Sequence, residues 1–120
     1  MNKTKVGDNM GVHIIADCWG IDPDRLSRVK EVKGILDRVI SLSGLTCVKS
    51  VFYQFKPYGV TCIYLLKESH LSIHTWPEKG FMNTDIFTCG EDKNAFKAFE
   101  LILKFFEPKK VKKKIIKRET

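Results

Sequence analysis

The chain is organised around the stretch Lys67-Glu68-Ser69-His70-Leu71-Ser72-Ile73-His74-Thr75-Trp76-Pro77-Glu78. Leu71 and Ile73 alternate with polar residues, which is the two-residue period of a half-buried strand. Pro77 ends the strand because it has no N–H to donate to a neighbouring strand. A purely structural strand does not need hydroxyl, imidazole and carboxylate groups along one stretch. The pattern therefore predicts a functional site built on a strand.

Apolar patterns on both sides of this stretch predict the other elements. A helix is expected to begin at Asp22-Pro23, with Asp as the cap and Pro at the first helical position, and to end at Ser43-Gly44. A second helix is expected to start at Asp92 and to end before Pro108. Strands are predicted over residues 11–18, 47–56, 60–67, 70–76, 82–88 and 111–116, with a hairpin turn at Pro57-Tyr58-Gly59 and a closing Cys89-Gly90.

This order of elements predicts an α+β fold. Strand-helix-strand-strand is followed by strand-strand-helix-strand, so two helices can cover one face of an antiparallel sheet in a two-layer α/β sandwich. The other face would carry the histidines and Trp76 without cover. A second copy of the same sheet would cover it, which predicts a homodimer.

Composition limits the class of protein. The 120 residues, 43% of them hydrophobic, predict one globular domain. Seven of the 21 basic residues lie within 109–118, and no base-reading motif accompanies them, so an exposed edge strand is expected and nucleic-acid binding is not. The chain has no apolar run of membrane-spanning length, and residues 1–9 lack a signal-peptide core, so a cytoplasmic protein is expected.

Metal and hydrolase sites have weak support. Four single cysteines show no zinc spacing and are expected to be reduced thiols. His70 and His74 have the spacing of helical zinc ligands, but on a strand they lie about 13 Å apart. The G-x-S-x-G motif of serine hydrolases does not occur in the sequence. An ordinary strand with hydrogen-bonded histidines remains an alternative at this point.

Three motifs resemble the prokaryotic S-adenosylmethionine decarboxylase proenzyme family, a pyruvoyl-dependent enzyme family. They are Pro57-Tyr58-Gly59-Val60-Thr61, Glu68-Ser69-His70-Leu71-Ser72-Ile73-His74-Thr75-Trp76-Pro77-Glu78 and Asp85-Ile86-Phe87-Thr88-Cys89-Gly90. The resemblance implies that the Ser69 hydroxyl attacks the carbonyl before it and that the chain is cut between Glu68 and Ser69. It implies a β chain of residues 1–68 and an α chain of residues 69–120 that begins with a pyruvoyl group made from Ser69.

The resemblance also assigns roles to other residues. His74 matches the proton acceptor of processing, and Cys89 matches the proton donor of catalysis. Thr61 stands where the family usually has an assisting serine. Phe55 matches an aromatic residue that stacks on adenine, and Glu78 matches a carboxylate that binds the ribose hydroxyls.

The implied reaction is decarboxylation of S-adenosylmethionine to the aminopropyl donor of spermidine biosynthesis. The pyruvoyl ketone would form a Schiff base with the substrate amine and accept the electrons that CO2 leaves behind. One alternative is a pyruvoyl-dependent arginine decarboxylase, or a decarboxylase of a related amino acid, on the same scaffold. Another, from a different class, is a non-catalytic binding module that stays uncut.

Spacing along the strand supplies an independent inference. Ser69 and His74 are five positions apart, so on an unbroken strand they face opposite sides at about 16 Å. Either the strand breaks at Ser69, or His74 of one protomer serves Ser69 of the other. The second possibility agrees with the uncovered sheet face and predicts two shared active sites per homodimer.

Overall fold

The computed structural model describes residues 10–89 and 92–119, apart from the side chains of Met10 and Asp92. Six strands form one antiparallel sheet in the order β2-β3-β4-β5-β1-β6. The elements are β1 (Met10–Trp19), α1 (Val29–Ser43), β2 (Cys47–Gln54), β3 (Val60–Leu66), β4 (Ser69–Trp76), β5 (Phe81–Thr88), α2 (Asp92–Phe106) and β6 (Lys110–Glu119).

The predicted α+β sandwich is confirmed, and each predicted strand is present. β6 is an edge strand as expected but is longer than predicted. Pro77–Lys79 forms a 3-10 turn between β4 and β5. The polar segment 1–9, the closing Gly90 and the proposed capping carboxylate of Asp92 lie outside the described residues.

The predicted start of the first helix is wrong. Asp22 caps only a 3-10 turn, Pro23–Arg25, where its Oδ1 accepts a hydrogen bond from the Asp24 N–H at 3.0 Å. α1 begins six residues after Pro23, at Val29, whose N–H donates to Oε1 of Gln54 at 2.8 Å. Gln54 therefore supplies the acceptor for the first N–H of α1, and its amide nitrogen also donates to the Ser27 carbonyl at 2.8 Å. Periodicity in the local sequence does not reveal these contacts with a distant strand.

The two faces of the sheet differ in polarity and exposure. Along β4, Leu71, Ile73 and Thr75 are buried beneath the helices. The alternate residues of β4 lie on the opposite side of the sheet, which we call the open face. The open face also exposes large apolar side chains of neighbouring strands, including Ile15, Val51, Ile63 and Leu65. Among the described residues, no helix is long and apolar enough to span a membrane.

Candidate active site

One group of candidate residues, which we call the serine group, comprises Glu68, Ser69 and Cys89. The carbonyl oxygen of Glu68 accepts a hydrogen bond from the Cys89 N–H at 2.9 Å and a second from Cys89 Sγ at 3.1 Å. Ser69 Oγ lies 3.5 Å from the same sulfur. Two donors thus converge on the carbonyl oxygen that precedes Ser69, and such an arrangement stabilises negative charge on that oxygen.

The backbone at Ser69 is strained. Its φ is 151°, a region that residues with a Cβ rarely adopt, and strain of this kind costs about 1–3 kcal/mol. The preceding turn is tied to the segment before β2 by two hydrogen bonds. Lys67 N–H donates to Thr46 O at 2.9 Å, and Thr46 N–H donates to Oε1 of Glu68 at 3.1 Å. The turn before the Glu68–Ser69 peptide bond is therefore held in place, and the strain lies in the φ of Ser69 that follows the bond.

A second group, which we call the pocket group, lies at the other end of β4. Thr61 Oγ1 is 3.0 Å from His74 Nδ1, since these residues are cross-strand partners on β3 and β4. Both line a cavity of about 430 Å³. Its full lining is Phe55, Lys56, Pro57, Tyr58, Gly59, Thr61, His74, Thr75, Trp76 and Glu78. Four predicted site residues, Phe55, Thr61, His74 and Glu78, are thus brought together around one cavity.

The two groups remain apart within one chain. β4 runs unbroken from Ser69 to Trp76, and in the ladder with β3 Ser69 pairs with Leu66 whereas His74 pairs with Thr61. Five residues of extended strand separate Ser69 from His74, which corresponds to about 16 Å. His74 is exposed on the open face. The structure therefore retains the spacing on which the prediction of a shared site depends. It also retains the predicted difference in side, since Ser69 pairs with buried Thr88 on the helix-covered side of the sheet whereas His74 lies on the open face.

Two residues near these groups received no role from the sequence. Trp76 lines the cavity, and its ring centroid lies 6.5 Å from that of His74 on the same face of β4. The two-residue period of the strand could have indicated this shared face. Thr88 pairs with Ser69 across the ladder and is fully buried. Its hydroxyl oxygen is the one buried side-chain polar atom without a hydrogen-bond partner in the described part of the chain.

Within residues 10–89 and 92–119, one cluster has the composition of a metal site, namely His13, His70 and Asp85 on the open face. Oδ1 of Asp85 lies 2.5 Å from His13 Nε2 and 3.5 Å from His70 Nε2. Arg118 approaches His13 Nδ1 at 3.4 Å. Because a guanidinium only donates, Nδ1 accepts and Nε2 carries the hydrogen donated to Asp85. The Nε2 atom of His13 is therefore occupied by its hydrogen bond to Asp85 and is not free to bind a metal. The Arg118 guanidinium also places a positive charge beside the His13 ring.

The four thiols differ in their surroundings. Burial raises the pKa of Cys18 to about 11, with a smaller contribution from Asp17, and burial raises the pKa of Cys62 to about 12. Cys47 is exposed and Cys89 is partly exposed. Cys18 and Cys62 thus behave as core residues.

Comparisons with known proteins agree with this arrangement. Residues 12–119 match the S-adenosylmethionine decarboxylase family. The S-adenosylmethionine decarboxylase proenzyme of Persephonella marina is 43% identical over 92% of this chain and 84% of its own. The proenzyme of Picrophilus torridus is 46% identical over 85% of this chain and 78% of its own. The crystal structure of the adenosylmethionine decarboxylase from Aquifex aeolicus superposes with a TM-score of 0.89 at 38% identity, covering 93% and 92% of the two chains.

Proposed function

The chain belongs to the S-adenosylmethionine decarboxylase family, and on this premise we propose that it cuts itself at Ser69 and then decarboxylates S-adenosylmethionine. It is a carboxy-lyase by this membership. The arginine decarboxylase alternative is not favoured, since the matched relatives carry the S-adenosylmethionine name. The cleavage, the pyruvoyl group and the residue roles given below are our proposal.

The observation that carries the self-cleavage is the pair of Cys89 donors on the Glu68 carbonyl oxygen beside a strained Ser69. In the proposed first step, Ser69 Oγ bonds to the Glu68 carbonyl carbon and the oxygen becomes an oxyanion that Cys89 stabilises. The C–N bond then breaks as the proton lost from Ser69 Oγ passes to the departing nitrogen, which leaves Glu68 as an ester on Ser69 Oγ and frees the Ser69 amine. The strain at Ser69 favours this step because breaking the peptide bond relieves it.

The second step needs a base. Removal of the Ser69 Cα proton expels the Glu68 carboxylate from Cβ, and addition of water with loss of ammonia yields the pyruvoyl end of the 69–120 chain. We assign the proton to His74 of the partner subunit, since about 16 Å of strand separates His74 and Ser69 in one chain. Thr61, 3.0 Å from Nδ1, orients this ring, so the threonine retains the hydroxyl that the family usually supplies as serine.

In the decarboxylation itself, the pyruvoyl group supplies the electron sink that accepts the pair released with CO2. The residues around Ser69 fit that group, since the Cys89 sulfur already lies 3.5 Å from Ser69 Oγ and can return a proton to the product. The pocket group is assigned to the adenosyl part. Phe55 and Trp76 offer aromatic faces, and Glu78 offers a carboxylate for the ribose hydroxyls.

The experiment that tests the proposal is intact mass spectrometry of the purified chain under denaturing conditions. We expect two fragments that meet between Glu68 and Ser69. The C-terminal fragment should be blocked to Edman sequencing and lighter, by the mass of ammonia, than simple hydrolysis would give. The Ser69→Ala variant is the control and should remain whole. Release of CO2 from carboxyl-labelled S-adenosylmethionine by the cut protein, with no release from labelled arginine, then tests the substrate.

Two results would contradict the proposal. The first is an uncut chain that hydroxylamine also fails to cleave, because such a chain contains no ester at this bond. That result would favour the hypothesis of a non-catalytic binding module. A cut chain that releases CO2 from arginine and not from S-adenosylmethionine would refute the substrate assignment while leaving the self-cleavage intact.

A further inference from the structure

One wall of the cavity is the loop of residues 55–59 between β2 and β3, which we call the pocket loop. It carries Phe55, whose side chain is 46% exposed, so burial in the core does not fix the position of this ring. A ring binds a flat ligand best when its backbone is already ordered, because ordering a loose loop during binding reduces the affinity. The position of the pocket loop therefore depends on its hydrogen bonds.

The side-chain amide of Gln54 binds both ends of the pocket loop. Its Nε2 donates to the Phe55 carbonyl and to the Gly59 carbonyl, each at 3.0 Å. The same nitrogen donates to the Ser27 carbonyl at 2.8 Å, and Oε1 accepts a hydrogen bond from the Val29 N–H at 2.8 Å. Only one orientation of the amide satisfies these contacts, because the reverse would set its oxygen against three carbonyl oxygens. One amide thus joins the pocket loop to the beginning of α1.

Backbone hydrogen bonds complete this arrangement. The Phe55 N–H donates to the Gly59 carbonyl at 2.8 Å, and the Gly59 N–H donates to the Ser27 carbonyl at 2.9 Å. The carbonyls of Gly59 and Ser27 therefore each accept two hydrogen bonds, and one of each pair comes from Gln54. Loss of the Gln54 amide would weaken the attachment of the loop at both of its ends.

Resting on the proposed assignment of this cavity to the adenosyl part of the substrate, we infer that Gln54 is a positioning residue for substrate binding. Its amide holds the pocket loop so that Phe55 is in place before the substrate arrives. Gln54 does not itself line the cavity, so it acts through the loop. Gln54 pairs with Val60 at the end of β3 that is remote from Ser69, so its loss should weaken substrate binding and leave self-cleavage intact.

Steady-state decarboxylation by the Gln54→Met chain tests this inference. Methionine is similar to glutamine in length but cannot donate a hydrogen bond. The KM for S-adenosylmethionine should rise about tenfold with kcat near the wild-type value, because a loosened loop weakens ground state and transition state alike. Calorimetric titration with methylthioadenosine, which has the adenosyl part without the amino-acid part, should show the same loss of affinity.

Tyr64→Phe is the matched control. The Tyr64 hydroxyl donates to Oδ1 of Asp37 at 2.7 Å, so it also joins the sheet to α1, but it does so without contacting the pocket loop. The control should lower the free energy of unfolding and leave KM and methylthioadenosine affinity unchanged. A merely structural role for Gln54 predicts that Gln54→Met behaves in the same way, and that result overturns the inference.

Gln54→Glu serves if the methionine variant does not fold. It keeps the shape of the side chain and an oxygen for the Val29 N–H, but it sets its other oxygen against the three carbonyls. Its KM should rise at least as much as expected for Gln54→Met, and an unchanged KM overturns the inference.

A double variant tests whether Gln54 acts through Phe55. In a Phe55→Ala background the ring is absent, so Gln54→Met should raise KM little further. Independent effects of the two substitutions, which multiply in KM, would contradict a role that is exerted through the ring.

These measurements separate the inference from the proposed function. A Phe55→Ala chain with unchanged KM refutes the assignment of the cavity to the adenosyl part, and the inference with it. A raised KM for Phe55→Ala beside an unchanged KM for Gln54→Met refutes the inference alone. A wild-type chain that stays uncut refutes the self-cleavage, and the methylthioadenosine titration then decides the inference: weaker binding by Gln54→Met supports it, and equal or absent binding by both chains overturns it.

Discussion

Co-expression of a Ser69→Ala chain with a His74→Ala chain is expected to restore self-cleavage that neither chain performs alone. In random pairing about half of the dimers are mixed, and each mixed dimer holds one site with both Ser69 and His74 and one site with neither. About a quarter of all chains should therefore be cut. Only the His74→Ala chain can be cut, because it alone carries Ser69. Different affinity tags identify the fragments by denaturing mass spectrometry.

This expectation follows from the separation of Ser69 and His74 along β4. Proton transfer needs the base within about 3 Å of the proton it takes, whereas the unbroken β4 separates Ser69 from His74 by about 16 Å. Mixed dimers, isolated through both tags, that stay uncut would refute the reasoning. Cleavage of the His74→Ala chain by itself at the wild-type rate would refute it too, since His74 would then not be the base.

Three further outcomes are expected at single positions. Glu68→Ala removes the side-chain oxygen that accepts a hydrogen bond from the Thr46 N–H. Loss of this hydrogen bond costs about 1 kcal/mol and should slow cleavage about fivefold in time courses. Glu68→Gln keeps the acceptor and should cleave near the wild-type rate. Thr88→Val removes a buried hydroxyl without a described partner and should raise the free energy of unfolding by about 1 kcal/mol in urea titrations. Cys18 and Cys62, with pKa values raised to about 11 and about 12, stay largely protonated at pH 8, so iodoacetamide should label them much more slowly than the exposed thiols of the folded protein.

Each of these expectations can fail in a recognisable way. Equal cleavage rates for Glu68→Ala and Glu68→Gln would show that the hydrogen bond to Thr46 does not hold the turn. A Thr88→Val chain that is less stable than wild type, or that no longer cuts itself, would show that the hydroxyl has a partner or a function. Rapid labelling of the two core thiols in folded protein would contradict their burial, with unfolded protein serving as the reference for full reactivity.

The fold was predictable from local patterns, although α1 begins later than predicted, β2 ends earlier and β6 is longer. The alternation of Leu71 and Ile73 placed β4 correctly, and Gly44, with its φ of 84°, ends α1 where the sequence predicted. The start of α1 was not predictable. Its first N–H is satisfied by Gln54, and a partner 25 positions away leaves no mark on helical periodicity.

The sequence by itself determined which groups are available for the proposed chemistry. They are the Glu68-Ser69 bond, the His74 imidazole and the Cys89 thiol, and each belongs to a short contiguous motif of the sequence. It also determined that His74 cannot reach Ser69 on the same strand, because each residue of an extended strand adds a fixed rise to the distance between them. Only the tertiary structure decided that both Cys89 donors converge on the Glu68 carbonyl and that Thr61 reaches His74. These contacts depend on the register of β3, β4 and β5, which is fixed by how three separate segments bury their apolar faces together.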